Sequence, residues 1–167
     1  MLTTRAPERY RGSLGRYLED FVVDDVYEHF PGRTITETDN IQFSLLTMNQ
    51  HPLHCDAVYA AKSEFGKPLV NSALTLAIVL GMSVADVSGK AIANLGLTDV
   101  QFTAPVFPGD TIYAESQVLE KRESKSRSTQ GIVTVRTVGK KADGTVFVTF
   151  VRTVLIPKRG HGVQDIG

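Results

Sequence analysis

Beyond residue 90 apolar and polar side chains alternate with a period of two, whereas the earlier part of the chain looks helical and irregular. In 91–104, which ends at Pro105, Val100 and Phe102 alternate with Gln101 and Thr103. After the turn segment Pro108-Gly109-Asp110, Ile112, Ala114, Ser116 and Val118 alternate with Tyr113, Glu115 and Gln117. Successive side chains of a strand point to opposite faces, so this pattern predicts one face in a core and one toward solvent or a partner. The β-branched runs 132–138 and 146–156 are joined through Asp143-Gly144. That pair tolerates positive φ at both central turn positions and predicts a tight hairpin. The second half therefore reads as an antiparallel meander, with polar 120–130 as a connection.

Three helices are expected before it. Thr36-Glu37-Thr38-Asp39 offers capping groups ahead of 41–48, and 56–65 follows Pro52 as a short amphipathic helix. The segment 68–82 is different, because Leu69, Val70, Leu74, Leu76, Val79 and Leu80 spread its apolar surface almost around the circumference. A helix apolar on all sides has to be buried on most of them, and Pro68 suits a first turn. Only the strands can cover so much surface. The expected architecture is α+β, an antiparallel sheet wrapped around a buried central helix. A half-wrapped sheet leaves an edge strand through which a dimer can form.

Length and composition narrow this further. The 167 residues suit one domain, and 42% apolar against 22% charged residues suit a packed core. Basic and acidic residues balance at 18 each, which removes any global attraction to nucleic acid or an anionic membrane. No apolar run is long enough for a bilayer span, and the Arg-containing start has no apolar signal core. Residues 1–14 read as a flexible arm, 15–157 as the domain and 158–167 as a flexible tail. The single cysteine, Cys55, cannot pair within the chain; a cytoplasmic setting and a small buried filler are the readings it favours, and a metal site is not expected.

Chemistry-bearing residues gather in three stretches: Asn49-Gln50-His51-Pro52-Leu53-His54, Lys67-Pro68-Leu69-Val70-Asn71-Ser72, and 102–110 with Pro105, Gly109 and Asp110. Together they resemble the MaoC-like branch of the hot-dog fold, which includes R-specific enoyl-CoA hydratases. The resemblance covers about 15–156. It implies that the family's catalytic histidine falls on His54, its catalytic aspartate on Asn49 and its motif asparagine on His51. The family's His-Gly pair at the start of the central helix falls on Asn71-Ser72, where a backbone N–H of Ser72 or a neighbour would hold the thioester oxygen.

Asn49 departs from the family pattern. An amide cannot act as a base at neutral pH, although it can orient a water, and losing an acid/base partner commonly costs about two to four decades of rate. The implied chemistry is reversible hydration of a 2-enoyl-CoA or of a branched, mesaconyl- or itaconyl-type acyl-CoA. His54 would move both protons, Asn49 would position water, and His51, Asn71 and Ser72 would contact substrate. The opening Gly15-Arg16-Tyr17-Leu18 looks closer to the branched dicarboxylic kind, which makes Arg33 a candidate for an acidic acyl tail. The stretch 121–127 is by default a solvated connection, with Lys125 and Arg127 as candidates for coenzyme A phosphates. No cofactor is expected beyond the coenzyme A carried by the substrate, and the expected assembly is a homodimer or a dimer of dimers. The rivals are a hot-dog acyl-CoA thioesterase and a non-catalytic acyl-CoA-binding subunit.

Overall fold

A computed structural model describes residues 13–165. Five antiparallel strands, β1 (Val26–Thr34), β2 (Ala93–Phe102), β3 (Thr111–Glu123), β4 (Gln130–Lys141) and β5 (Val146–Pro157), form one sheet in the order β1-β3-β4-β5-β2. Its concave face receives α4 (Ser72–Met82), while α1 (Glu37–Leu46), α2 (Pro52–Cys55) and α3 (Ala57–Ala61) fill the connection between β1 and α4. This is the expected sheet wrapped around a helix.

The period-two reading holds along β3, β4 and β5, where alternate residues from Ile112 to Val118, Val133 to Thr137 and Phe150 to Ile156 are buried. Strand β1 was not expected. Its sequence contains Pro31 and Gly32 and mostly exposed side chains, and it pairs with β3 across a register shift between His29 and Arg33. A half-exposed edge strand carries little periodic signal. The Asp143-Gly144 connection is looser than a two-residue turn. Gly144 alone takes positive φ, at 87°, and Asp143 uses its carboxylate to accept from Thr145 N–H at 2.9 Å.

The central helix starts at Ser72 rather than Pro68, because 68–71 is extended and bonds to its neighbours instead. Nor is it covered all round. Leu74, Thr75 and Val79 are buried, but Ser72, Ala73, Ala77 and Gly81 form an exposed stripe at helical spacing. The outer edge strand β2 likewise exposes Leu95, Val100 and Phe102. After β5 the chain folds back as far as Asp165, with Tyr17 Oη donating to Asp165 at 2.6 Å and Lys158 N–H to Thr129 O at 2.9 Å. Asp165 is held below the ordinary carboxyl range, chiefly by that tyrosine, and Tyr17 is raised in return. Most of the expected N-terminal arm, residues 1–12, lies outside the described residues.

A polar layer divides the core. One apolar cluster gathers Leu74, Val79, Ala114 and Phe150, and the other Val118, Val133, Val135 and Val154. Between them, one per strand, lie Ser116, Thr137 and Arg152, all buried. Ser116 Oγ meets Thr137 Oγ1 at 2.8 Å and His29 Nε2 at 2.8 Å, and His29 Nδ1 meets Asp86 at 2.9 Å. Buried polar groups are tolerated when every one is paired in this way. Arg152 donates to Asn94 and Ser83 at the C-terminal end of α4, where the helix dipole favours a cation. Desolvation still lowers its pKa.

Candidate active site

The site forms where α1, the 49–56 loop and the start of α4 meet. Thr36 and Asp39 build a capping box that starts α1: Thr36 Oγ1 accepts from Asp39 N–H, and Asp39 accepts from Thr36 N–H. With α1 so placed, Asn40 and Ser44, four residues apart, are its buried positions. Leu69 N–H donates to Leu53 O and Val70 N–H to Val106 O, each at 2.9 Å, so 53–54, 69–71 and 106 lie side by side. The 102–110 segment closes this arrangement, because Gly109 N–H bonds to Ile35 O at 2.7 Å and Phe107 N–H to Asp110 Oδ2 at 3.0 Å.

His54 is half-buried on α2, and its Nδ1 lies 2.8 Å from Leu69 O. A carbonyl only accepts, so Nδ1 carries the proton and, in the neutral ring, Nε2 carries the free lone pair. His51 has the opposite arrangement. As N-cap of α2 its Nδ1 accepts from Leu53 N–H at 3.2 Å, leaving Nε2–H as a donor. The two rings lie 5.9 Å apart. One is thus set up as a base and the other as a hydrogen-bond donor. Asn49 Oδ1 accepts from His51 N–H at 3.2 Å, and its Nδ2 has no protein acceptor among the described residues.

At the start of α4 the amides can be counted one by one. Asn71 N–H is taken by Asn40 Oδ1 at 2.8 Å and Ala73 N–H by Asn71 Oδ1 at 3.0 Å. Leu74 and Thr75 N–H both bond to Asn71 O. Ser72 N–H alone among these lacks an acceptor among the described residues, and it lies on the exposed side of a helix N-terminus, where anionic oxygen is favoured. Asn71 itself is buried, its side chain spent on capping α4 and on a long contact to Ser44. Within the chain its side chain serves as the cap of α4.

The remaining expected residues are placed elsewhere. Arg33 Nη2 is 2.6 Å from Asp39 Oδ1, in an ion pair at the start of α1. Lys125 and Arg127 are exposed in the β3–β4 connection, the far end of β3 from Thr111 and about 40 Å of strand away. One chain does not bring them to His54. Cys55 is exposed rather than a buried filler, because the short helix that turns His54 inward turns its neighbour outward. Among the described residues no three His, Cys, Asp or Glu side chains converge as metal ligands. A cavity of about 360 Å³ opens beside Leu53 and Tyr59, lined also by Lys62, Ser63 and Phe65. Phe65 packs against Phe107 at 6.5 Å, and Lys67 covers the Phe107 ring at 4.3 Å. The residue that sequence reasoning missed is Asn40; an asparagine on a short helix is indistinguishable from a solvated one until the fold buries it.

Comparison with known proteins bears on the family and the fold. A mesaconyl-CoA hydratase of Cereibacter sphaeroides is 32% identical over 145 residues, 87% of this chain but 42% of the relative. The chain thus spans less than half of that relative's length. A crystal structure titled monoamine oxidase regulatory protein, from Archaeoglobus, superposes with TM-score 0.76 at 36% identity, covering 86% of this chain and 95% of that one. A Mycobacterium tuberculosis protein described as a double hotdogfold matches with TM-score 0.78 at 20% identity, covering 89% of this chain and 47% of that one, and so shows the shared fold. The MaoC like domain family matches residues 20–141. With its hot-dog fold and its His54 motif, this chain belongs to the MaoC-like dehydratase family.

Proposed function

We propose that the chain is a hydro-lyase that adds water across the double bond of a 2-enoyl-CoA or a branched mesaconyl-type acyl-CoA. The observation that carries the reading is that His54 keeps its lone pair on Nε2 while Ser72 N–H has no acceptor among the described residues, on two segments joined by the bond from Leu69 N–H to Leu53 O. Water attacks the β-carbon while His54 Nε2 takes its proton. The resulting enolate places negative charge on the thioester oxygen, where Ser72 N–H donates to it. His54 then returns the proton to the α-carbon, so proton and charge balance without a further cofactor. Asn49 Nδ2 donates to the attacking water and leaves the water's hydrogen for His54. His51 Nε2–H is available to the substrate.

A second hot-dog unit completes this reading. The exposed stripe of α4 and the apolar β2 edge are the surfaces such a unit would cover, and the Mycobacterium tuberculosis protein described as a double hotdogfold, of which this chain covers 47%, carries two units in one chain. Here a second copy would supply it. Lys125 and Arg127 would reach coenzyme A phosphates only across that interface. Arg33 would have to exchange Asp39 for the acidic tail of a dicarboxylic substrate. A cytoplasmic setting, where acyl-CoA forms, fits; no helix among the described residues is long and apolar enough to cross a membrane.

The test is a panel of unsaturated acyl-CoAs followed by loss of the alkene, beside His54→Ala. The substitution lowers kcat by about 10²–10⁴-fold. Release of free thiol instead of alkene loss would identify a thioesterase. Tight binding with no turnover would identify a non-catalytic subunit. Arg33→Ala is expected to lower kcat/KM for mesaconyl-CoA about tenfold more than for crotonyl-CoA, the effect of one ionic contact; an unchanged ratio removes Arg33 from the site.

A further inference from the structure

Asn40 is fully buried, and each polar atom of its amide is used on the backbone of the site. Nδ2 donates to His54 O at 3.0 Å and to Leu69 O at 3.1 Å, one carbonyl for each hydrogen. Oδ1 accepts from Asn71 N–H at 2.8 Å. With two carbonyls on one side and an N–H on the other, only this orientation of the amide satisfies every contact. The side chain therefore ties together three pieces of the site: the residue that carries the imidazole, the carbonyl that holds the imidazole, and the cap of α4.

Two consequences follow from where those bonds go. Leu69 O is the acceptor that fixes the proton of His54 on Nδ1, and Asn40 fixes Leu69 O. A free imidazole side chain prefers the other tautomer, with its proton on Nε2, so the lone pair faces outward at Nε2 only while this carbonyl stays in place. Asn40 also occupies Asn71 N–H, which leaves Ser72 N–H as the donor of the helix start without an acceptor among the described residues. We infer that Asn40 is a positioning residue: from within the core it sets which nitrogen of His54 is basic and which amide of α4 is open to the thioester oxygen. It touches no substrate atom. The inference rests on the hydration reading for its catalytic consequence, but not for its structural one.

The experiment uses the unliganded native protein and its Asn40→Ala, Asn40→Ser and Asn40→Asp variants, labelled with ¹⁵N at histidine. In the native protein His54 is expected as the Nδ1–H tautomer, and finding it predominantly Nε2–H overturns the inference whatever the variants do. Among variants whose circular dichroism shows a folded chain, the population shifts toward Nε2–H. Asn40→Asp shifts it furthest, because a carboxylate faces two carbonyls. Hydration of crotonyl-CoA falls by about 10²-fold in kcat, with KM within about threefold, as expected for a displaced base. Ser44→Ala, which loses only a contact to the Asn71 side chain, keeps the native tautomer. A folded Asn40→Ala with native tautomer and native kcat refutes the positioning role and leaves hydration standing. A shifted tautomer in a protein that hydrates no substrate does the reverse.

Discussion

The proposed oxyanion donor can be removed as a single N–H. Ser72 is the first residue of α4, the one helical position where proline is favoured because its amide hydrogen has no helical partner. Proline also demands an extended preceding residue, and Asn71 already has φ −57° and ψ 124°. Ser72 is exposed, and its N–H has no acceptor among the described residues, so Ser72→Pro breaks no hydrogen bond and has room for its ring. Folding is therefore expected to be unaffected or strengthened, by about 0.4–1 kcal/mol through a less flexible unfolded chain. In a domain of this size that raises Tm by about 1–4 °C. Catalysis responds in the opposite direction. Loss of one preorganised oxyanion donor costs about 10²–10³-fold in kcat, equal to about 2.7–4 kcal/mol of transition-state stabilisation. The assay is initial-rate alkene loss from crotonyl-CoA or mesaconyl-CoA, paired with thermal denaturation of the same preparation. Ser72→Ala removes the hydroxyl and keeps the amide, so the difference between the two variants isolates the N–H. A folded Ser72→Pro protein with kcat within about threefold of Ser72→Ala would show that the thioester oxygen is held elsewhere.

Asn49→Asp keeps an acceptor for His51 N–H but loses the Nδ2 donor, and kcat is expected to fall about tenfold, the value of one hydrogen bond to the water; a rise of tenfold or more would mean that His54 works better with a carboxylate beside it. The Asp39 carboxyl is held below its ordinary range, first by Thr36 N–H and the Thr36 hydroxyl, with Arg33 adding to the effect. A depressed folded-state value stabilises the fold above the unfolded pKa of about 3.9 and is lost as pH falls through the folded value. The Tm gap between the native protein and Asp39→Asn is thus expected to stay constant from pH 7 to about pH 5 and to close below about pH 4; a gap unchanged at pH 3 would refute the assignment. Ala77→Lys places a charge in the exposed stripe of α4 and is expected to convert a dimer to a monomer in light scattering, with a matching loss of activity. A dimer retained with full activity would put the second unit on another face.

The strands β3, β4 and β5 were legible because they are long and buried on one face, so that alternation repeats over many residues. Strand β1 was not, since an exposed edge interrupted by Pro31 and Gly32 has no face to mark. His54, Asn49, Ser72 and the 102–110 segment were singled out by resemblance to a family motif, whose residues lie within short stretches of chain. Sequence order alone brought an imidazole motif and a helix start into one expected site, and determined that one helix was too apolar to stand in water.

The tertiary structure decided the rest. Which nitrogen of His54 is basic depends on Leu69 O, fifteen residues away, and which amide of α4 is free depends on Asn40, thirty-one residues before Asn71. Lys125 and Arg127, candidates for coenzyme A in the sequence, lie beyond the end of β3 far from Thr111, a separation that only the folded sheet reveals. Local spacing encodes the period of an element and the type of a side chain. Hydrogen-bond occupancy and distance across the sheet are properties of segments remote in sequence, and they exist only once the sheet has closed around α4.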